Sequence, residues 1–156
     1  MKKNILPLLN QIKKLEAALA HADALNTKVS AANVAWHIDH SLRVIIGICN
    51  TLANANPAEY KWKFNFVRTL IMWRGSIPRG KGKAPKAVVA TDAITTQSIT
   101  EQLNKAKQAI QQLDTLPANS FFKHPYFGLL NLKPSIEFLH LHTKHHLGII
   151  DDIVKG

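Results

Sequence analysis

Eight histidines stand in a chain of 156 residues, and helical spacing sorts those that can meet from those that cannot. His142 and His146 are separated by one helical turn, and at about 100° per residue they share a stripe with Leu139, Ile149 and Ile153. That spacing lets one ion take two imidazole nitrogens from a single helix. A third ligand must come from elsewhere. On an earlier helix His37 flanks the apolar seam Val34/Ile38/Ile45, whereas the same geometry sends His40 to the opposite, wet side. His140 is expected to face water, and His145 lies at the edge of the core stripe, as an outer partner of the site or a solvated neighbour. Burying two imidazoles is costly unless both are satisfied, and a shared cation satisfies both at once. A hydrogen-bonded structural cluster does so too, and H-x-x-x-H spacing alone does not separate the two readings.

Three neutral imidazoles leave one position open on a tetrahedral ion. A water there has its pKa lowered from about 15.7 to about 7, and a thiol there is held as the nucleophilic thiolate. Hydrolysis and thiol transfer are both accessible to such a platform. Zn and Ni are the foremost candidates, and iron also accepts imidazole. No H-E-x-x-H, G-x-S-x-G elbow or zinc-thiolate pattern names a catalytic acid, base or nucleophile, and Gly80-Lys81-Gly82-Lys83 is too short for a phosphate loop. His124 either covers a pocket mouth or fixes the turn before Pro125, and the turn is the simpler role. Cys49 falls on an apolar face and reads as a core thiol.

The elements that must carry these residues are helices. Ile5, Leu8, Leu9, Ile12, Leu15 and Leu19 recur at helical period over Ile5 to about Ala24, with Pro7 in the first turn. Ser30 is the expected N-cap of a second helix, whose seam Val34, Ile38, Leu42, Ile45, Cys49 and Leu52 ends before Pro57. The spacing predicts a third helix over Glu59–Trp73, then an irregular excursion from about Arg74 to Ala90, rich in Gly and Pro. Ser98 and Glu101 form a capping-box signature for a fourth helix bearing Ile99, Leu103, Ala106, Ile110 and Leu113, stopped by Pro117. After a loop containing His124-Pro125-Tyr126-Phe127-Gly128, Pro134 opens a last helix to about Val154. Long helices without a strand pattern indicate an all-α fold, a four-helix bundle with one additional helix and long loops, in one domain over 1–156.

Composition bounds the rest. With 46% apolar residues, seven Gly and seven Pro, the chain should fold around one core. The apolar run after Met1-Lys2-Lys3 is interrupted too early for a signal peptide, no stretch approaches the about 18 apolar residues of a span, and the single Cys49 fits a reducing compartment. A cytoplasmic protein without a membrane partner is the expectation. The formal charge of +10 is the outlier. Between Tyr60 and Thr91 stand eight cations and no acid: Lys61, Lys63, Arg68, Arg74, Arg79, Lys81, Lys83 and Lys86. Interleaved with Trp62, Phe64, Phe66 and Trp73, they suit a non-catalytic binder of nucleic acid or another anionic partner, a lid steering an anionic small substrate, or a solvated basic loop over core aromatics. Only weak, salt-sensitive nucleic-acid binding is expected.

Trp36-His37-Ile38, His124-Pro125-Tyr126-Phe127-Gly128 and His142-Thr143-Lys144-His145-His146, in that order, resemble the DinB/YfiT-like superfamily, a group described as metal-dependent hydrolases, and within it a branch without assigned function. In that superfamily a His before an apolar residue on the second helix joins the first and last His of an H-x-x-H-H run. The resemblance implies a DinB-like four-helix bundle, His37, His142 and His146 as metal ligands, a small-molecule substrate, hydrolase or thiol S-transferase activity, and a homodimer. Many relatives continue with Arg-Gly-Gln, whereas Leu147-Gly148-Ile149 follows here, so no role of that polar tail carries over.

Overall fold

The computed structural model describes residues 5–80 and 88–156. Its elements run α1 (Leu6–Ala17), α2 (Val34–Asn54), α3 (Phe66–Arg74), α4 (Thr96–Gln112), β1 (Phe121–His124), β2 (Gly128–Asn131) and α5 (Leu132–Lys155). It is mostly helical, with one small antiparallel sheet. α1 packs on α4 and α5, and α2 packs on the same two helices, so four helices share a core while α3 reaches it only through the partly buried Ile71 and Met72.

The helical seams read from the sequence are buried as expected. Leu8, Ile12 and Leu15 line the inside of α1, and Val34, Ile38, Leu42, Ile45, Cys49 and Leu52 are all buried along α2. Ile99, Leu103, Ala106, Ile110 and Leu113 do the same for α4 and the 3-10 turn that ends it, and one continuous cluster joins them to Leu139, Ile149 and Ile153 of α5.

The helix starts differ from the sequence expectation, each for a local reason. α2 begins at Val34 because the Asn33 side chain accepts from the Trp36 backbone N–H; Ser30, the expected cap, bonds His37 instead. At α4, Thr95 is the N-cap and Ser98 its reciprocal partner, so the helix starts before the expected Ser98/Glu101 box. The third helix is shorter than Glu59–Trp73. A 3-10 turn occupies Pro57–Glu59, and Asn65 then caps α3, which Gly75 ends at φ 60°, its N–H reaching the Ile71 and Met72 carbonyls.

The hairpin is the feature the periodicity missed. Phe121, Phe122, Leu129 and Leu130 are two short apolar runs on either side of a turn, and Gly128 takes φ +70° at its exit. Phe122 pairs with Leu130, and both are buried against the core with Phe127. Residues 75–80 and 88–95 form no helix longer than a turn, and Lys81, Gly82, Lys83, Pro85 and Lys86 of the basic excursion lie outside the described residues, as do Met1, Lys2 and Lys3. Among the described residues no helix is long and apolar enough to cross a membrane.

Candidate metal centre

The site lies where α2 crosses α5. The expectation that His40 projects to water is corrected: it is 4% exposed, among buried neighbours His37, Asp39 and Ser41. A helical wheel assumes one dry face, but at this level α2 is covered all round. α4 contributes Gln102, whose Nε2 donates to Asp39 Oδ1 at 2.5 Å, beside the Arg43–Asp39 ion pair at 2.7 Å. From the long excursion, the Val88 carbonyl accepts from His40 Nδ1 at 3.0 Å. Trp36 closes the remaining side, stacking on His40 with centroids 4.9 Å apart and planes within 9°.

Among the described residues, His40, His142 and His146 form a group that can hold an ion: one ring nitrogen from each lies within 4.8 Å of the other two. Tetrahedral ligands at about 2.1 Å stand roughly 3.4 Å apart, so nitrogens as far apart as 4.8 Å would have to draw in to share an ion. His142 Nδ1 is buried with no hydrogen-bond partner, an orphaned lone pair or N–H that an ion would remove from the count of unsatisfied groups. The structure thus joins His142 and His146 as the spacing on α5 predicts and adds His40. It places His37 beside the trio, with its Nδ1 3.0 Å from His146 Nδ1 and its Nε2 2.9 Å from Ser30 Oγ. His40 was hidden from the sequence because its partner Val88 lies 48 residues away.

Burial and mutual repulsion keep these rings neutral. Desolvation, then the neighbouring imidazoles, lowers His142 to about 3 and pushes His146 lower still. Desolvation likewise lowers His37 to about 4 and His40 below its usual value. Neutral imidazole is the form that binds metal, so no proton need leave at pH 7.

The other histidines take supporting places. His145 packs edge-on to His146 at 5.2 Å and hydrogen-bonds the Ile77 carbonyl. His140 is half-buried rather than directed to water, and its backbone carbonyl accepts from Gln11 Nε2. His124 fixes its turn: its Nδ1 accepts from the Tyr126 and Phe127 backbone N–H groups, and its ring stacks on Phe127 at 4.2 Å. Burial pushes the Cys49 thiol up to about 12, the behaviour of an inert core group.

Two cavities lie beside neighbours of the trio. One, of about 590 Å³, is lined by Asp23, Asn33, Trp36 and Asp92 among others, with Trp36 between it and His40. The other, of about 220 Å³, is lined by Ile77, Arg79, Lys144, His145 and Gly148, with His145 between it and His146. Comparison of the chain with protein-family models, curated proteins and solved structures returned no match.

Proposed function

We propose that this protein binds a divalent metal ion, Zn or Ni foremost, through His40, His142 and His146, and uses it on a small substrate. The observation that carries the proposal is the convergence of three neutral nitrogens from two helices, one ring having an orphaned buried nitrogen. Dipoles and aromatic walls surround the group, but no carboxylate is among the three, which suits imidazole-preferring metals over Mg²⁺ or Ca²⁺.

Such an ion supplies a Lewis acid that polarises a carbonyl or makes a bound water or thiol nucleophilic near neutral pH. The chain's own residues do the rest. Val88 and His37 orient two of the rings, and Trp36 shields His40 from solvent. The smaller cavity is lined by Lys144 and by Arg79, which is paired with Asp152 at 2.8 Å, so Lys144 is the cation it offers an anionic substrate. Hydrolysis and thiol S-transfer are the two activities in this reading, and membership of the DinB/YfiT-like superfamily, with its four-helix bundle and homodimer, belongs to the same proposal. The contacts among α1, α2, α4 and α5 support the bundle; the order of the histidines along the chain supports the family.

Elemental analysis of protein without a histidine tag tests the reading. About one divalent ion per chain is expected, falling to background in His142→Ala with helical content retained. Protein that takes up no Zn, Ni, Fe or Mn on dialysis against each reduces the trio to a structural cluster.

A further inference from the structure

α3 rests on the core through the partly buried Ile71 and Met72 and turns a second apolar stripe outward. Phe66, Leu70 and Trp73 form a stripe at helical spacing, yet Phe66 is 68% and Trp73 82% exposed, and no residue of the helix is fully buried. Polar anchors hold the helix to the protein beside Ile71 and Met72. Arg68 donates to the carbonyls of Leu129 (3.1 Å) and Lys63 (2.7 Å), and the capping Asn65 donates to the Tyr126 carbonyl (3.0 Å). Just before the helix, Trp62 and Phe64 are also about two-thirds exposed (67% and 66%). These are not the core aromatics under a solvated loop that one sequence reading allowed. Two tryptophans and two phenylalanines held in water, by a helix anchored through its arginine, form an apolar patch of the kind that marks a docking surface.

We propose that this face docks on the surface of a bilayer containing anionic phospholipid, without spanning it. Lys61, Lys63 and Arg74 are exposed beside the aromatic stripe, and the segment from Tyr60 to Arg74 contains no acid. Aromatic rings at the headgroup level with flanking Lys and Arg are the pattern of a helix that lies in the interface. Charge selects among the possible occupants. A second copy of the chain would bring the same cations against these, an unfavourable juxtaposition that anionic lipid removes. Single-stranded nucleic acid would use the rings for stacking, but the aliphatic Val67 and Leu70 on the same face offer no π-surface and gain only from an apolar phase. The sequence expectation of no membrane partner weighed spanning segments, which a surface-docked helix does not need.

The test is co-sedimentation of the full chain with phosphatidylcholine vesicles, with and without phosphatidylserine. Binding at least about tenfold tighter to the anionic vesicles at low salt is expected, weakening as salt rises, with a blue shift of tryptophan emission. Phe66→Ser with Trp73→Ser should lower that affinity by about tenfold or more while leaving circular dichroism and melting unchanged, since both side chains project into solvent. No phosphatidylserine-dependent binding overturns the proposal. So does binding of a single-stranded oligonucleotide in place of vesicles through Phe66 and Trp73, or a dimer in sedimentation that those two substitutions dissolve.

Discussion

His37 Nδ1 lies 3.0 Å from His146 Nδ1, with the ring planes 42° apart. One proton must sit between them. If His146 binds metal through Nε2, its Nδ1 carries the proton and donates to His37 Nδ1, and His37 then donates from Nε2 to Ser30 Oγ. The opposite assignment puts a proton on His146 Nε2 and closes it to metal. His37 is therefore a positioning residue for His146 in this arrangement.

His40→Ala should abolish tight metal binding, whereas His37→Ala should weaken it by roughly 10–100-fold and keep one ion per chain. Isothermal titration of both variants with Zn²⁺ separates the roles. The reverse result would return His37, in place of His40, to the ligand set that the family resemblance implies.

Ser30→Ala should act in the same direction as His37→Ala and more weakly. It removes the acceptor of His37 Nε2–H while leaving Asn33 to cap α2. Metal affinity measured in the double variant should show the two effects to be non-additive, because both break one chain of bonds.

Metal-free protein should lose stability on acidification. The folded-state pKa values of His37 and His142 are depressed to about 4 and about 3, so the unfolded chain binds more protons than the folded one below the ordinary value of 6.5. The contribution is complete above about pH 6.5 and is lost as pH falls towards 4 and 3, each group steepening the curve by up to about 1.4 kcal/mol per pH unit. Urea melts between pH 7.5 and 4 check the sign; a flat profile would mean the rings are solvated.

Leu42→Ala should cost about 2–5 kcal/mol, the range for emptying a fully buried leucine site. Thermal denaturation gives the number, and a loss under about 1 kcal/mol would place Leu42 outside the packed core.

Much of this arrangement was legible in the sequence, because apolar spacing reports directly on which helix faces are dry. The seam from Val34 to Leu52 and the stripe around Leu139 and Ile149 are both buried as read. His142 and His146 followed from one helical turn. His40 did not, because periodicity along one helix carries no information about the distant carbonyl at Val88 or the neighbouring Trp36 that cover its wet side. The hairpin was hidden for a related reason: four-residue strands are too short to display a period. The outward stripe of α3 shows the limit most plainly, since Phe66, Leu70 and Trp73 have the spacing of a core face and are exposed.

The excursion between α3 and α4 is pinned at two carbonyls, Ile77 to His145 on α5 and Val88 to His40 on α2. Its two feet therefore set the orientation of two rings, one on α5 and one on α2. A shift of even one residue at either foot should therefore rotate an imidazole away from its neighbours.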